Sequence, residues 1–309
     1  MFNYITHGLK IQSEIQFPEL KGENSHNNES TLNEVKISLG KVDSSKSDII
    51  SEGIFRVASR YILTKNSVYV IWNDTDVCEI RHSNQIIVNN SSQIEENFLR
   101  SLILGPALGI LLHRHNRLIL HASAVNINGE AVAIMGHNGM GKSTTTMALI
   151  ARGYPLIADD ILSVEFDQKD NPAVYPGIGR IKLWPRVYNK YKEKFSNMNV
   201  IHSQSPKRSC QLKEQSTSIL PLKHIYILEK SNKIGLSKIN YSESLIELIR
   251  NSYCANIFQE ADEKSHFQEY AEIVRRVPIK YLNRYDSLSE LEQLAEIIEK
   301  DVQSNKDQE

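Results

Sequence analysis

The amino-terminal part of the chain alternates apolar and polar positions. β-branched and aromatic residues recur at every second position, with Asn, Ser and Gly between the runs, which is typical of strands and turns. The runs cover residues 8–15, 34–39, 54–63, 67–72 and 85–88. We predict a β-rich region over residues 1–93 in which these strands form a meander.

From residue 94 onwards the pattern is one of helices alternating with short apolar strands. Residues 94–113 carry apolar side chains at helical spacing, with a bend expected at Pro106, and lead into a second domain over 94–309. Further helices are predicted over residues 144–152, 242–253, 262–275 and 288–298, and strands over 118–135, 154–158, 178–184, 224–229 and 277–282. Ser242 is the expected helix cap, and the charged tail from Glu299 is expected to fray. This alternation predicts an α/β domain with a mixed sheet.

Asn128-Gly129 stands between two apolar runs, which is a strong signal for a hairpin with a two-residue type I′ turn. In that register Ile127 faces Glu130, and counting outward places His121 opposite Gly136. A single histidine is more often structural than catalytic. The register nevertheless puts this imidazole at the edge of the most informative motif of the chain.

That motif is residues 136–143, GHNGMGKS, which we call the glycine loop. It matches G-x-x-x-x-G-K-[ST], in which glycines let backbone N–H groups surround phosphate oxygens, the lysine adds a charge and the hydroxyl binds Mg²⁺. The following helix points its positive end at the same anion. The alternative is a glycine-rich turn without function. The predicted nucleotide-binding residues are Gly136, His137, Asn138, Gly139, Met140, Gly141, Lys142, Ser143 and Thr144.

Two adjacent carboxylates follow the next short strand. A helix of about 11 residues advances about 16 Å, and five strand residues return a similar distance. A right-handed crossover therefore brings Asp159 and Asp160 back beside the glycine loop. One carboxylate can hold Mg²⁺ with Ser143 while the other accepts a proton from an attacking hydroxyl. We assign the metal to Ser143 and Asp160, although the spacing leaves open which aspartate is the base, and a simple acidic turn is the alternative.

Three basic residues downstream complete the predicted site. Arg180 lies on an apolar strand that also carries Lys182 on the same face, and it would bind a phosphate or carboxylate, or pair with a surface acid. Residues 205–212 form a polar loop that would close over the γ-phosphate and bring Lys207 or Arg208 to the transition state. A solvated loop is the alternative.

Composition and charge narrow the class of protein. The chain has 309 residues with 36 basic and 37 acidic side chains and a net charge of −1, so no overall field favours nucleic acid or an anionic membrane surface. Three cysteines stand far apart without a C-x-x-C pair, which is typical of reduced thiols. The longest apolar run, residues 102–112, is too short to span a bilayer. We expect a cytoplasmic protein.

The combination of LHASAV (120–125), GHNGMGKS and RGYPLIADDILSV (152–164) resembles the HPr kinase/phosphorylase family. The resemblance implies a catalytic domain with a fold like that of PEP carboxykinase, use of ATP and Mg²⁺, and a homo-oligomer. It carries kinase roles onto His121, Lys142, Ser143, Asp159 and Asp160. The second signature of that family, after the aspartates, has no clear copy here.

Residues 5–20, 176–188 and 248–253 look like the HPr-kinase-related proteins associated with lasso peptide biosynthesis. This resemblance implies phosphorylation of the C-terminal serine of a precursor peptide. Two other functions stay open at this point: a kinase of the same fold acting on a small amino acid or sugar, and a nucleotide-gated binding module with little turnover. The intact Asp159-Asp160 pair argues against the module.

Overall fold

The computed structural model describes residues 1–22, 32–54, 59–91, 93–203, 205–253, 257, 263–285 and 287–306. The chain divides into two compact units. Unit 1 consists of Met1–Ile119, Val200–Ser205 and Cys254–Glu263, and unit 2 of Leu120–Asn199, Pro206–Tyr253 and Lys264–Glu309. The first division falls after Ile119, whereas the sequence predicted a boundary between residues 93 and 94.

Unit 1 is built on an eight-stranded sheet. Its strands are β1 (Phe2–Thr6), β2 (Leu9–Ser13), β3 (Asn33–Gly40), β4 (Ser51–Ile54), β5 (Arg60–Leu63), β6 (Ser67–Trp72), β7 (Thr75–Arg81) and β8 (Gln85–Asn89). A 3-10 turn, Ser44–Lys46, precedes β4. Residues 55–58 of the predicted strand 54–63 lie outside the described residues.

The strand order is β1-β2-β3-β8-β7-β6-β5-β4. Strands β4 to β8 form the predicted antiparallel meander. The prediction is wrong at β3, which runs parallel to both of its neighbours, β2 and β8. Parallel neighbours need a crossover rather than a tight turn, and apolar alternation contains no information on strand direction.

The helix predicted over residues 94–113 is present, with one irregular turn. It consists of α1 (Glu96–Leu102), a π-helical turn Ile103–Ala107 and α2 (Leu108–Arg114). Pro106 lies inside the π-helical turn, where a residue without an N–H group cannot continue the α-helical ladder. No helix within the described part of the chain is long and apolar enough to cross a membrane.

The short strand β9 (Leu118–Leu120) joins the two units along the chain. The strands that follow are β10 (Ser123–Ile127), β11 (Glu130–Met135), β12 (Leu156–Ala158), β13 (Leu162–Phe166), β14 (Pro172–Val174), β15 (Arg180–Leu183), β16 (Phe195–Val200), β17 (Arg208–Leu212), β18 (Leu220–Lys230), β19 (Gly235–Lys238) and β20 (Ile279–Arg284). The helices are α3 (Lys142–Ala151), α4 (Pro185–Lys190), α5 (Tyr241–Arg250), α6 (Glu263–Arg276) and α7 (Leu291–Lys306), with a 3-10 turn at Lys192–Lys194.

The main sheet of unit 2 is mixed, as predicted, with the order β12-β10-β11-β18-β14-β13 and with β20 and β19 added beside β18. The long central strand β18 runs parallel to β11 and β20, so these three strands end at the same edge. A separate three-stranded sheet has the order β15-β17-β16. Strand β17 occupies residues 208–212, so the prediction of a polar loop there is wrong: pairing with β15 supplies order that the local polar pattern does not indicate.

Two helix predictions need correction. Helix α5 is capped by Asn240, whose side chain accepts a hydrogen bond from the N–H of Glu243, and not by Ser242. Helix α7 continues to Lys306, so the prediction of a frayed tail from Glu299 is wrong as far as that residue, and residues 307–309 lie outside the described residues. Val302 is fully buried, and the carboxylate of Glu299 accepts hydrogen bonds of 2.7 and 2.8 Å from Arg152. Glu299 therefore has a partner on a distant segment, and Val302 packs into the core of unit 2.

Candidate active site

The hairpin β10–β11 has the predicted geometry. Asn128 and Gly129 both have positive φ angles, 54° and 89°, as a type I′ turn requires. Ile127 pairs with Glu130, and the ladder ends where Ser123 pairs with Ile134. The two-residue turn thus fixes the register, and the prediction is confirmed.

His121 lies two residues before this ladder, and its ring is buried. Nε2 is 3.1 Å from the side-chain Oδ1 of Asn138 in the glycine loop, and Nδ1 is 3.1 Å from the backbone oxygen of Asp160. The oxygens of both contacts only accept, so each is a hydrogen bond when the ring nitrogen that faces it carries a proton, and the tautomer decides which one a neutral imidazole makes. The imidazole therefore joins the glycine loop to the aspartate pair, where the register predicted it.

The glycine loop connects β11 to α3, the predicted arrangement of strand, loop and helix. Gly136, Gly139 and Gly141 have φ angles of 142°, 84° and 98°, a backbone that residues with a side chain rarely adopt. Lys142 is the first residue of α3, is buried, and donates from Nζ to the carbonyl of Gly136 at 2.8 Å. The loop therefore curls around the lysine at the positive end of a helix.

The structure also brings an arginine to this loop that the sequence analysis missed. Arg284 ends β20 and is buried, and its Nη1 donates to the carbonyl of Met140 at 2.9 Å. Its other nitrogens donate to the backbone oxygens of Tyr285 and Ser287. Because β20 is separated from the glycine loop by more than a hundred residues, no local signal indicates this contact.

Strands β11 and β12 both run antiparallel to β10, so they point in the same direction. The aspartates directly follow the end of β12. Asp159 Oδ1 accepts hydrogen bonds from the hydroxyls of Ser123 at 2.5 Å and Ser143 at 2.9 Å. Its Oδ2 accepts from the backbone N–H of Lys182 at 3.0 Å. The short connection after the glycine loop thus brings a carboxylate to Ser143, as predicted.

The two carboxylates have different surroundings. Asp160 has a φ angle of 71°, and its Oδ2 lies 3.0 Å from Nζ of Lys182. The sequence predicts that Ser143 and Asp160 hold one metal, whereas in the structure the hydroxyl of Ser143 donates to Asp159. Successive residues face opposite sides, and the left-handed backbone at Asp160 turns its carboxylate towards Lys182.

These surroundings separate the acidities of the pair. Burial, and then the negative charge of Asp160, raise the pKa of Asp159 above its ordinary value, against the opposing effect of its hydrogen bonds. Burial also acts to raise the pKa of Asp160, but the ammonium of Lys182 and the nearby His121 and Lys142 outweigh it, so this pKa lies well below its usual range. Asp160 is therefore the more readily ionised carboxylate.

Two of the predicted basic residues, Arg180 and Arg208, lie on the three-stranded sheet, and Lys207 directly precedes β17. Arg180 is buried on β15, two residues before Lys182. Lys207 places Nζ 5.5 Å from the ring centroid of Trp184, and Arg208 donates from Nη1 to the carbonyls of Pro206 and Lys207. At the aspartates the structure places Lys182, which the sequence analysis placed on the face of Arg180 without a role.

Comparisons with known proteins show similarity in the segment that carries the glycine loop and the aspartates. The family described as HPr Serine kinase C-terminal domain matches residues 114–176, which include the hairpin, the glycine loop and both aspartates. The HPr kinase/phosphorylase of Caldicellulosiruptor bescii is 42% identical over 48 residues, 16% of this chain and 15% of that protein. The HPr kinase/phosphorylase of Limosilactobacillus reuteri is 45% identical over 65 residues, 21% of this chain and 20% of that protein.

A solved structure, the Hpr(Ser) kinase/phosphatase from Coxiella burnetii, aligns over 61% of this chain and 90% of that chain with 14% identity and a TM-score of 0.34. The chain spans about a fifth or less of the length of the curated relatives it matches. The family model matches the segment that carries the site, and in this segment the chain is similar to the HPr kinases.

Proposed function

We propose that this HPr kinase-related chain is an ATP- and Mg²⁺-dependent kinase that transfers the γ-phosphoryl group to a serine hydroxyl. The observation that carries the proposal is the 2.9 Å contact between Ser143, at the start of α3, and Asp159, at the end of β12. This contact joins the glycine loop to an acidic pair, which is the combination that phosphoryl transfer needs. The acceptor in this proposal is the C-terminal serine of a peptide, as in the lasso peptide precursors.

The glycine loop fits the phosphates of a nucleotide. Its glycine backbone, the buried Lys142 and the start of α3 together supply N–H groups, a cation and a positive helix end. A Cβ added at Gly139 would meet no atom within 4 Å, so the loop leaves space beside this residue. The carbonyl of Gly136, which now accepts from Lys142, shows that the ammonium already lies within the loop.

Asp159 and Ser143 fit Mg²⁺, because this ion prefers one or two carboxylate or hydroxyl oxygens from the protein together with phosphate oxygens. When bound, the ion would neutralise charge on the phosphates. The contacts of Asp159 with Ser123 and with the N–H of Lys182 hold the carboxylate in place beside Ser143.

In the proposed reaction Asp160 is the base. The serine oxygen of the acceptor forms a bond to the γ-phosphorus, the bond from that phosphorus to the β–γ bridging oxygen breaks, and ADP leaves. The proton of the serine hydroxyl passes to the carboxylate of Asp160. His121 orients this residue through the hydrogen bond from Nδ1 to its backbone oxygen.

Asparagine substitutions at the two aspartates test the proposal. Removal of a positioned base costs about 10² to 10⁴ in rate, so Asp160→Asn should lose transfer while ATP still binds, and Asp159→Asn should lose Mg²⁺-dependent transfer. Asp170→Asn is the matched control, because Asp170 is exposed in a turn at a φ angle of 58° that asparagine tolerates. Near-full transfer in both site variants would contradict the assignment.

The acceptor is tested separately with labelled ATP and a panel of serine-ended peptides, internal-serine peptides, amino acids and sugars. Labelling of the serine-ended peptides alone supports the proposal, whereas labelling of a small acceptor would change the substrate class without changing the site. We extend the proposal to a cytoplasmic homo-oligomer, which size-exclusion chromatography with light scattering would test.

A further inference from the structure

One residue contacts both carboxylates of the candidate site. The backbone N–H of Lys182 donates to Asp159 at 3.0 Å, and its Nζ lies 3.0 Å from Asp160. The side chains of Lys182 and Asp160 are 18% and 29% exposed, so the ion pair is largely covered but part of each side chain remains accessible. Lys182 is therefore part of the site by position, although the proposed reaction so far gives it no role.

The fold holds this lysine towards the aspartates. Lys182 lies in β15 opposite Ser209 of β17, between Ile181 and Leu183, which are both buried in the core of unit 2. Because neighbouring strand residues face opposite sides, burial of these two side chains turns Lys182 to the other face. The backbone hydrogen bond to Asp159 then keeps the strand at this distance.

The charges of the site show what the ammonium can do. Lys142 lies on the glycine loop, with Nζ on the carbonyl of Gly136, while Lys182 lies on the side of the aspartates. Without Lys182 the carboxylate of Asp160 would lose the ammonium nearest to it, and its negative charge would repel the γ-phosphoryl group. An ammonium has three donors, so Lys182 can keep Asp160 and also bind a phosphoryl oxygen. We infer that Lys182 binds the terminal phosphoryl group of the nucleotide from the side of the aspartates, an inference that rests on the proposed function.

The alternative is that Lys182 only neutralises Asp160. The two roles differ in a property that does not require turnover. A cation that binds the terminal phosphoryl group favours a nucleoside triphosphate over a diphosphate whether or not Asp160 is charged, whereas a counter-ion affects this preference only through the charge of Asp160. The ratio of the two dissociation constants, compared with and without that charge, therefore separates the roles.

The experiment is isothermal titration of the full chain with AMP-PNP and with ADP, each with Mg²⁺. For Lys182→Gln we expect the preference for AMP-PNP over ADP to fall about 10- to 100-fold, the value of a lost hydrogen bond to a charged group, with the affinity for ADP little changed. Lys169→Gln is the control, since Lys169 is an exposed lysine of the turn between β13 and β14. Lys182→Arg should retain much of the preference.

A second comparison excludes effects of the carboxylate that Lys182→Gln leaves without its ammonium, including a loss of stability. The double substitution Asp160→Asn with Lys182→Gln leaves no such carboxylate, and we expect its preference for AMP-PNP to be about tenfold or more below that of Asp160→Asn alone. An unchanged ratio in this comparison, or an equal loss of both affinities in Lys182→Gln, overturns the inference. A wild type that binds neither nucleotide overturns the proposed function as well, so the two failures are distinguishable.

Discussion

Substitution of alanine at two glycines of the same loop should have unequal effects. Gly139 and Gly141 both have positive φ angles, and a Cβ costs about 1 to 2 kcal/mol at either position. At Gly139 the new atom meets nothing within 4 Å, whereas at Gly141 it would collide with Nη1 of Arg284. Gly139→Ala is therefore a control for backbone strain, and Gly141→Ala adds a steric conflict.

The size of that conflict follows from the contact it breaks. Arg284 is buried and donates from Nη1 to the carbonyl of Met140 at 2.9 Å, and displacement of the guanidinium removes this bond. A hydrogen bond with a charged partner contributes about 1.5 to 3 kcal/mol. We therefore expect Gly141→Ala to lower the free energy of unfolding by about 2.5 to 5 kcal/mol, against about 1 to 2 kcal/mol for Gly139→Ala.

Urea unfolding followed by tryptophan fluorescence can measure this difference. The chain has two tryptophans, Trp72 in unit 1 and Trp184 in unit 2, so a Trp72→Phe background reports on the unit that holds the loop. In an Arg284→Ala background the additional cost of Gly141→Ala should disappear and leave only the strain. Equal costs for the two glycines, or an excess that persists without Arg284, would refute the reasoning.

Three other predictions follow from single contacts. Ser123→Ala removes a 2.5 Å hydrogen bond to Asp159 and should slow single-turnover transfer from labelled ATP about tenfold; an unchanged rate would show that this serine does not position the carboxylate. Asp301, in the last helix, forms a 2.7 Å ion pair with Lys280 and accepts a hydrogen bond from the hydroxyl of Tyr226 on β18. Asp301→Asn should cost about 2 to 4 kcal/mol in urea unfolding, whereas substitution of the exposed Gln303 by alanine should cost less than about 0.5 kcal/mol. Burial, and then a neighbouring guanidinium, lower the pKa of His7 from 6.5 to about 3. Between these values the unfolded chain binds one more proton, so the free energy of unfolding should fall as pH falls, by up to about 1.4 kcal/mol per pH unit, and His7→Gln should remove this slope.

The parts of the site that the sequence predicted depend on local geometry. Two residues of positive φ at 128 and 129 set the hairpin register, and this register carries His121 to the glycine loop. A short helix and a short strand limit how far the chain can travel, so Asp159 returns to Ser143. The family match over residues 114–176 coincides with this stretch.

The identity of the carboxylate beside Ser143 was not predictable in the same way. Alternation states that neighbouring side chains face opposite sides, but it does not say which side holds the loop. The φ angle of 71° at Asp160 and the approach of Lys182 decide the matter, and both belong to the packing of β15 against the end of β12. Lys182 alternates with buried residues, so the sequence predicts which face of the strand it occupies. It does not predict that the ammonium pairs with Asp160.

The end of helix α7 was also not predictable from local sequence. Its charges suggest a solvated end, yet Glu299 and Asp301 have cationic partners on segments far away in sequence, and Val302 is fully buried. A window of local sequence contains neither the partners nor the apolar surface that covers this helix. The predicted direction of β3 relative to its neighbours was wrong for the same reason, because local sequence does not contain the partner strands.

The sequence by itself determined the hairpin, the strand, loop and helix around the glycines, and the return of an acidic pair, because turn geometry and element length act over few residues. Only the tertiary structure decided that Asp159 contacts Ser143, that Lys182 joins both aspartates, and that Arg284 lies against the glycine loop. These contacts join segments separated by up to 144 residues. Their geometry depends on how the sheets and helices of unit 2 pack, a property of the whole core that no single stretch of residues contains.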